Sequence, residues 1–244
     1  MIERVIIDNV SKKFKIGFAK EQGALSKIIS FFSGREPKKD LWSLTDVSFS
    51  VKAGERVGII GVNGSGKSTL LRLIANIYQP DKGKIKTTGN IVSAIGSGTS
   101  LYDRLSMKEN IYLLCSLFGL NKKTTKKRFD SIVEFSGLED YVNTKLYQFS
   151  NGMTYRLGSS ILHHCNPDII LYDEVFIHRD EQFSQKEKVS MNKIVNNGAC
   201  YLFVTHDLET ARRSDRLIWL NKGKIIEMGN PEEVIQSYKK FFNL

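Results

Sequence analysis

The stretch "RVGIIGVNGSGKST", residues 56–69, decides the fold of this chain. Its first five residues, apolar after Arg56, predict a buried strand, and a helix is predicted to begin at Lys67. The glycine-rich turn between them fits G-x-x-x-x-G-K-[ST] at every fixed position. Backbone N–H groups of such a turn surround a phosphate, Lys67 adds an ammonium group, and Ser68 offers a hydroxyl to Mg²⁺. The predicted nucleotide-binding residues are Gly61, Asn63, Gly64, Ser65, Gly66, Lys67, Ser68 and Thr69.

Polar side chains follow two further apolar runs. The run "IILYDE" ends in Asp173 and Glu174, and the run "LFVTHD" carries His206 near its end. Because the tips of parallel strands converge on one ligand crevice, we expect these side chains near the phosphate loop. Asp173 is the predicted Mg²⁺ ligand beside Ser68, and Glu174 is predicted to hold or deprotonate the attacking water. His206 is the second predicted catalytic residue, donating a hydrogen bond to the γ-phosphate or to that water.

Strand and helix signals alternate along the chain, which predicts an α/β fold with a mostly parallel sheet and an antiparallel β part at the N-terminus. We expect one domain over residues 1–244, with a core of residues 1–105 and 166–244 and an inserted helical lobe of residues 106–165. Ser106 fits a capping box with Glu109 at the first lobe helix. Thr124 or Thr125 is the expected cap of the second. The helix from Lys67 is expected to reach about residue 77.

A long, charged connection, residues 16–41, separates two strands where a short hairpin loop is usual. Within it, four apolar residues fall at i, i+3, i+4 and i+7 on one face of a short helix; they are Leu25, Ile28, Ile29 and Phe32. Two interpretations remain open. This face packs on the chain's own sheet, or it meets a membrane partner.

Composition limits the classes of protein. With 244 residues and 41% hydrophobic content, the chain can bury a substantial core. Three widely spaced cysteines indicate reduced thiols, and the longest apolar stretch, residues 111–120, is too short to cross a bilayer. The net charge of +10 suits nucleic acid or an anionic membrane, but solvated basic faces explain it equally well.

Taken in order, the phosphate loop, the helical lobe, "FSNGM" at residues 149–153, "IILYDE" and "VTHD" resemble the ATP-binding cassette family. The resemblance implies a P-loop NTPase with a RecA-like core that binds ATP and Mg²⁺. It also implies a head-to-tail homodimer, in which Ser150 and Gly152 bind the ATP held by the partner chain. Phe14 matches the aromatic residue that stacks on adenine, although a surface-packed Phe is the alternative. Asp180 matches the loop residue that links the two sites.

Departures from the common family pattern point to one branch. The signature reads Ser-Asn-Gly-Met where most members have Ser-Gly-Gly-Gln, and "GSG" at residues 96–98 stands where a Gln usually reaches Mg²⁺. With the insertion at 16–41, these departures resemble the polysaccharide-exporting branch, which moves lipid-linked O-antigen, capsule or teichoic acid chains. Some O-antigen exporters carry a carbohydrate-binding domain after the cassette. A chain that stops at Leu244 is expected either to lack that domain or to be cut short. The stretch before Asp180, Ile-His-Arg, is also unusually polar.

The resulting expectation is a Mg-dependent ATPase subunit that exports lipid-linked polysaccharide, with O-antigen as the first choice. It is expected to be a homodimer that does not bind nucleic acid. It is expected to lie at the cytoplasmic face of the bacterial inner membrane, peripheral to it through a separate transmembrane permease. Three alternatives stay open: a soluble cassette ATPase acting on nucleic acid or ribosomes, a nucleotide-gated subunit without hydrolysis, and an exporter of another cargo.

Overall fold

The structure, a computed structural model, describes residues 2–16, 39–94, 101–173 and 181–244. The strands are β1 (Glu3–Ile16), β2 (Lys39–Lys52), β3 (Arg56–Ile60), β4 (Lys82–Thr87), β5 (Ile91–Ala94), β6 (Ile169–Asp173), β7 (Cys200–Val204), β8 (Arg216–Asn221) and β9 (Lys224–Gly229). The α-helices are α1 (Lys67–Ile74), α2 (Met107–Leu117), α3 (Lys122–Ser136), α4 (Asn151–His163), α5 (Glu181–Asn196), α6 (Leu208–Ala211) and α7 (Pro231–Phe242). Short 3₁₀ turns lie at Glu139–Tyr141 and Leu146–Gln148.

The strands form two sheets. The six-stranded sheet has the order β5-β6-β7-β3-β8-β9, and its pairs are parallel except for the antiparallel β8–β9 hairpin. The three-stranded sheet has the order β2-β1-β4 and is antiparallel. The predicted α/β class, with a mostly parallel sheet and an antiparallel N-terminal part, is therefore confirmed.

The parallel order follows from burial. Strand β6 is buried at every residue and β3 at four of its five residues, so their sequences read as continuous apolar runs. The order also places β6 and β7 side by side, with β3 next to β7. The carboxyl ends of these three strands therefore meet at one edge of the sheet, where the predicted site residues follow them.

Three apolar clusters of the described residues pack on the large sheet, and the two larger ones connect it to the other parts of the chain. One lies between the two sheets and α1, and includes Leu44, Leu70 and Val204. The other joins the lobe helices to the opposite side, through residues such as Ile111, Leu157 and Tyr172. The lobe is thus fixed to the sheet that carries the site.

Helix α1 ends earlier than predicted. It stops at Ile74, because Asn76 adopts a left-handed conformation with φ of 59°. The N–H of Ile77 then bonds to the carbonyl of Arg72 at 2.9 Å, and the N–H of Asn76 to that of Leu73 at 3.0 Å. This is a Schellman motif with Asn in the place usually taken by Gly. The predicted end near residue 77 was wrong because no Gly or Pro marks the turn.

Helix α3 begins before the predicted caps. Asn121 is the N-cap, and its side-chain oxygen accepts the N–H of Thr124 at 2.9 Å. The hydroxyl of Thr125 instead donates to the carbonyl of Asn121 at 3.1 Å. The prediction of Thr124 or Thr125 as the cap was therefore wrong. The capping box of Ser106 and Glu109 at α2 is confirmed.

Strand β1 ends at Ile16 and strand β2 begins at Lys39, so the two strands reach the ends of the predicted 16–41 connection. The predicted amphipathic helix of the 16–41 connection lies outside the described residues. Among the helices that the structure describes, none combines the length and apolar character that a bilayer crossing requires.

Candidate nucleotide-binding site

The phosphate loop depends on two close approaches of backbone. At Gly61, which follows β3, a Cβ would lie 2.1 Å from the carbonyl oxygen of Leu220. At Gly66, with φ of 107°, it would lie 2.6 Å from the carbonyl oxygen of Ser43. Only glycine fits both positions, so the loop is pressed against β2 and β8 in one conformation.

Lys67 closes the loop from inside. Its side chain is buried, and its Nζ donates to the carbonyl oxygens of Gly61 at 2.9 Å and Val62 at 3.0 Å. The same residue begins α1, whose N-cap is Gly66 and therefore has no side chain to satisfy the first N–H groups. A helix start with a positive charge beside it attracts anions, so this loop can hold a phosphate.

Ser68 and Asp173 meet across the site. The Ser68 hydroxyl donates to Oδ1 of Asp173 at 3.2 Å, and the aspartate is buried at the end of β6. A hydroxyl beside a carboxylate offers two hard oxygen donors, which fits Mg²⁺. The predicted metal-binding pair is thus brought together.

These residues surround one cavity of about 170 Å³. It is lined by Ser43, Asn63, Gly64, Ser65, Gly66, Lys67, Ser68, Thr69, Asp173, Val204 and His206. His206 follows β7 and is exposed, as a group that reaches toward a ligand must be. The buried hydroxyl of Ser65 has no hydrogen-bond partner in the part of the chain that the structure describes, and it lines the same cavity. A phosphate oxygen would satisfy it.

One contributor was missed by sequence reasoning. Ser43 lies in β2 and lines the cavity, and its Oγ lies 2.9 Å from Oγ1 of Thr69. Nothing in the sequence around Ser43 distinguishes it from other strand residues. Its role follows from the position of the antiparallel sheet over α1, which only the tertiary structure gives.

Other predicted residues lie away from the cavity lining. Phe14 packs edge-to-face on Tyr78, with ring centroids 5.5 Å apart, so the surface-packing alternative describes its present contact. Ser150 is the N-cap of α4 and accepts the N–H of Met153 at 3.2 Å. Ser150 and Gly152 are both exposed at that helix start. Glu174, Asp180 and the "GSG" of residues 96–98 lie outside the described residues.

The family model described as ABC transporter matches residues 44–176, from the start of the buried part of β2 to just beyond β6. The chain belongs to the ABC transporter family. The match covers both the phosphate loop and Asp173, so the resemblance drawn from the ordered motifs is confirmed.

The relatives that the chain matches cover 81% to 100% of it. It is 37% identical over 239 residues to the teichoic acids export ATP-binding protein TagH of Lactococcus lactis, covering 98% of this chain and 51% of that protein. It is 32% identical to TagH of Shouchella clausii, covering 100% of this chain and 67% of that protein. It is 36% identical over 199 residues to the O-antigen export system ATP-binding protein RfbB of Klebsiella pneumoniae, covering 81% of each. The chain thus spans about half the length of the Lactococcus relative, and the resemblance to the polysaccharide-export branch is confirmed.

Solved structures agree on the fold. An ATP-binding subunit of an ABC transporter superposes with a TM-score of 0.75 at 23% identity, covering 96% of this chain and 92% of that one. A dimeric ATP-binding cassette in a post-hydrolysis state, bound to ADP and Pi, gives a TM-score of 0.73 at 24% identity, covering 93% and 98%. The architecture of this chain is that of an ATP-binding cassette.

Proposed function

We propose that this chain is the ATP-hydrolysing subunit of a bacterial exporter of lipid-linked polysaccharide. The observation that carries the proposal is the single cavity shared by the phosphate loop, the Ser68–Asp173 pair and His206. The cargo class is supported by relatives named for teichoic acid and O-antigen export. Both names are represented at similar identity, so the proposal is made for the class, within which O-antigen was the first expectation.

The chain binds ATP mainly through contacts to the phosphates of the nucleotide. Loop N–H groups, the start of α1 and the Lys67 ammonium hold the β- and γ-phosphates, while Ser65 offers a further hydroxyl. Ser68 and Asp173 would hold Mg²⁺, which when bound offsets the negative charge of the phosphates. Phe14 is proposed to stack on adenine, which requires its ring to exchange the contact with Tyr78 for the base.

Hydrolysis uses the residues at the strand tips. Glu174 accepts a proton from water as the water oxygen attacks the γ-phosphorus, and the bond from that phosphorus to the β–γ bridging oxygen breaks. The products are ADP and inorganic phosphate. His206 donates a hydrogen bond to the γ-phosphate or the water and so keeps them in line.

We propose that two copies of the chain complete each site. Ser150 and the first turn of α4, including Gly152, present a hydroxyl, N–H groups and the positive helix end to the ATP of the partner chain. The exposure of both residues supports this, since a group recruited by another chain must be accessible. Asp180 is proposed to link the two sites, and two-fold symmetry closes the homodimer.

The homodimer is proposed to act on a separate transmembrane permease at the cytoplasmic face of the plasma membrane. Closing the dimer on ATP and opening it after hydrolysis supplies the movement. The names of the relatives, which describe export ATP-binding proteins, support this partnership.

The test replaces the proposed base. Glu174→Gln should keep ATP affinity, lower the ATPase rate by at least about a hundredfold, the usual contribution of a general base, and trap an ATP-bound dimer seen by light scattering. Glu139→Gln, at an exposed position in the lobe, is the matched control and should behave like the parent chain. Normal hydrolysis by Glu174→Gln would contradict the assignment.

A further inference from the structure

A carboxylate joins α5 to α4, one of the lobe helices. Oε1 of Glu187 accepts hydrogen bonds from the Tyr155 hydroxyl and from the Ser159 hydroxyl, both at 2.6 Å. The Tyr172 hydroxyl in turn donates to that of Tyr155 at 3.4 Å. One half-buried carboxylate on α5 is thereby connected to two residues of α4 and to one residue of β6.

These hydrogen-bonded polar groups lie in an apolar environment. Tyr155, Ser159 and Tyr172 are buried, and the two tyrosines belong to the apolar cluster that fixes the lobe to the sheet. Burial raises the pKa of Glu187, although the hydrogen bonds from Ser159 and Tyr155 oppose the shift. An apolar side chain would fill this space without that cost. A carboxylate instead fixes the direction and register of its donors, which apolar packing does less strictly.

The connected elements are those that carry the proposed two-chain site. Tyr172 directly precedes Asp173, the proposed metal ligand. Tyr155 lies on the helix whose N-cap is Ser150. Helix α5 begins at Glu181, the residue after Asp180. The hydrogen-bonded group of Tyr155, Ser159, Tyr172 and Glu187 therefore lies between the helix start offered to a partner and the strand that supports the chain's own nucleotide.

Further polar contacts hold the same face of α5. Nδ1 of His163 lies 2.7 Å from Oγ of Ser190, and Nζ of Lys186 donates to the carbonyl oxygens of Glu134 and Phe135 at 3.2 Å each. Residues 186, 187 and 190 follow helical spacing, so they lie on one side of α5. Helix α5 is therefore docked on the lobe in a single register, with Glu187 at the centre of the contact.

We propose that Glu187 is a positioning residue for the two-chain nucleotide site. By fixing α4 against α5 and β6, it sets the place from which Ser150 and Gly152 reach the partner's ATP; this role rests on the proposed function. Among the residues that the structure describes, Glu187 contacts neither the phosphate loop nor the proposed metal-binding pair of Ser68 and Asp173. Its loss should therefore spare binding of ATP to a single chain and weaken the closing of two chains on it.

The experiment is done in the Glu174→Gln background, where ATP-bound dimers persist. Glu187→Leu removes the carboxylate, and Tyr155→Phe removes one donor while keeping the ring. We expect both to bind a fluorescent ATP analogue as the background chain does, and to need about tenfold more protein to form half of the ATP-bound dimer, because α4 is no longer held in the place from which it reaches the partner's ATP. Glu187→Gln keeps an acceptor oxygen and should restore most of the dimerisation. Gln185→Leu, exposed on the same helix, is the control and should change nothing.

The outcomes separate the two proposals. If the background chain itself fails to dimerise with ATP, the two-chain site is wrong, and the role of Glu187 is lost with it. If it dimerises and Glu187→Leu and Tyr155→Phe dimerise equally well, only the positioning role is overturned. A weakening that Glu187→Gln does not restore, or that follows a fall in the melting temperature of each variant, also overturns it, because that is the behaviour of a purely structural residue.

Discussion

The backbone conformation of Gly66 and the atoms packed against it exclude any other residue at this position. A side chain there meets both an unfavourable φ of 107° and the carbonyl oxygen of Ser43. We predict that Gly66→Ala lowers the free energy of unfolding by about 1–3 kcal/mol and weakens ATP binding by more than about tenfold, because the loop must move off β2. Urea unfolding and titration with a fluorescent nucleotide measure the two effects.

The control for Gly66→Ala is Gly198→Ala. Gly198 also has a positive φ, of 99°, but a Cβ there meets nothing within 4 Å. Gly198→Ala should therefore lower the free energy of unfolding through backbone strain alone and leave ATP affinity unchanged. If both variants bind ATP equally, the close approach to Ser43 does not shape the phosphate loop.

His163 is buried at the end of α4, and this makes stability depend on pH. Burial, with a smaller contribution from His164, lowers the pKa of His163 to about 3 from its ordinary value of 6.5. The unfolded chain therefore takes up a proton below about pH 6.5 that the folded chain refuses until about pH 3. Stability from this group is present above pH 6.5 and is lost as the pH falls, by up to about 1.4 kcal/mol per pH unit.

We predict that His163→Gln, which cannot titrate, loses less stability than the parent chain between pH 6.5 and pH 4.5. Urea unfolding at several pH values checks this, and the difference between the two chains removes the contribution of all other groups. If the free energy of unfolding falls equally with pH in the two chains, His163 is hydrated or protonated in the folded state.

At the scale of single elements, substitutions near the N-terminus of α3 test which residue caps the helix. Asn121 caps α3 through its bond to the N–H of Thr124. Asn121→Ala should therefore lower the free energy of unfolding by about 1 kcal/mol. Thr124→Ala keeps that N–H and places a stronger helix former inside α3, so urea unfolding should show an unchanged or slightly higher free energy of unfolding. The reverse order would mean that α3 begins where the sequence pattern first suggested.

The same elements show what could be predicted from the sequence. The buried runs of β3 and β6, the glycine-rich turn between β3 and α1, and the capping box of Ser106 were predicted correctly, because each depends on local chemistry. The end of α1 at Ile74 was missed, since Asn76 adopts its left-handed conformation only where the surrounding chain favours it. Ser43 and Glu187 could not be found, because their partners lie 26 and 28 to 32 residues away, respectively, and only packing brings them together.

At the scale of the whole molecule, one chain carries two separate halves of the proposed chemistry. The cavity contains the phosphate loop, Asp173 and His206, while Ser150 and Gly152 stand exposed at the start of α4 and do not line it. If each active site takes one half from each chain, two differently damaged chains must complement each other.

We therefore predict that chains with Lys67→Ala and chains with Gly152→Asp regain ATPase activity on mixing. A Cβ at Gly152 would meet only the Ser150 hydroxyl oxygen, at an ordinary contact distance of 3.9 Å. An aspartate in the first turn of α4 also suits the helix dipole, so the second variant should fold normally. Its carboxylate would repel the partner's γ-phosphate and abolish hydrolysis. In a mixed dimer one site has both damaged halves and the other has both intact halves. With random pairing, half of the dimers have one working site, which gives about a quarter of the parent rate if the sites act independently. Full activity of the Gly152→Asp chain alone would exclude any part for α4 in a partner's site.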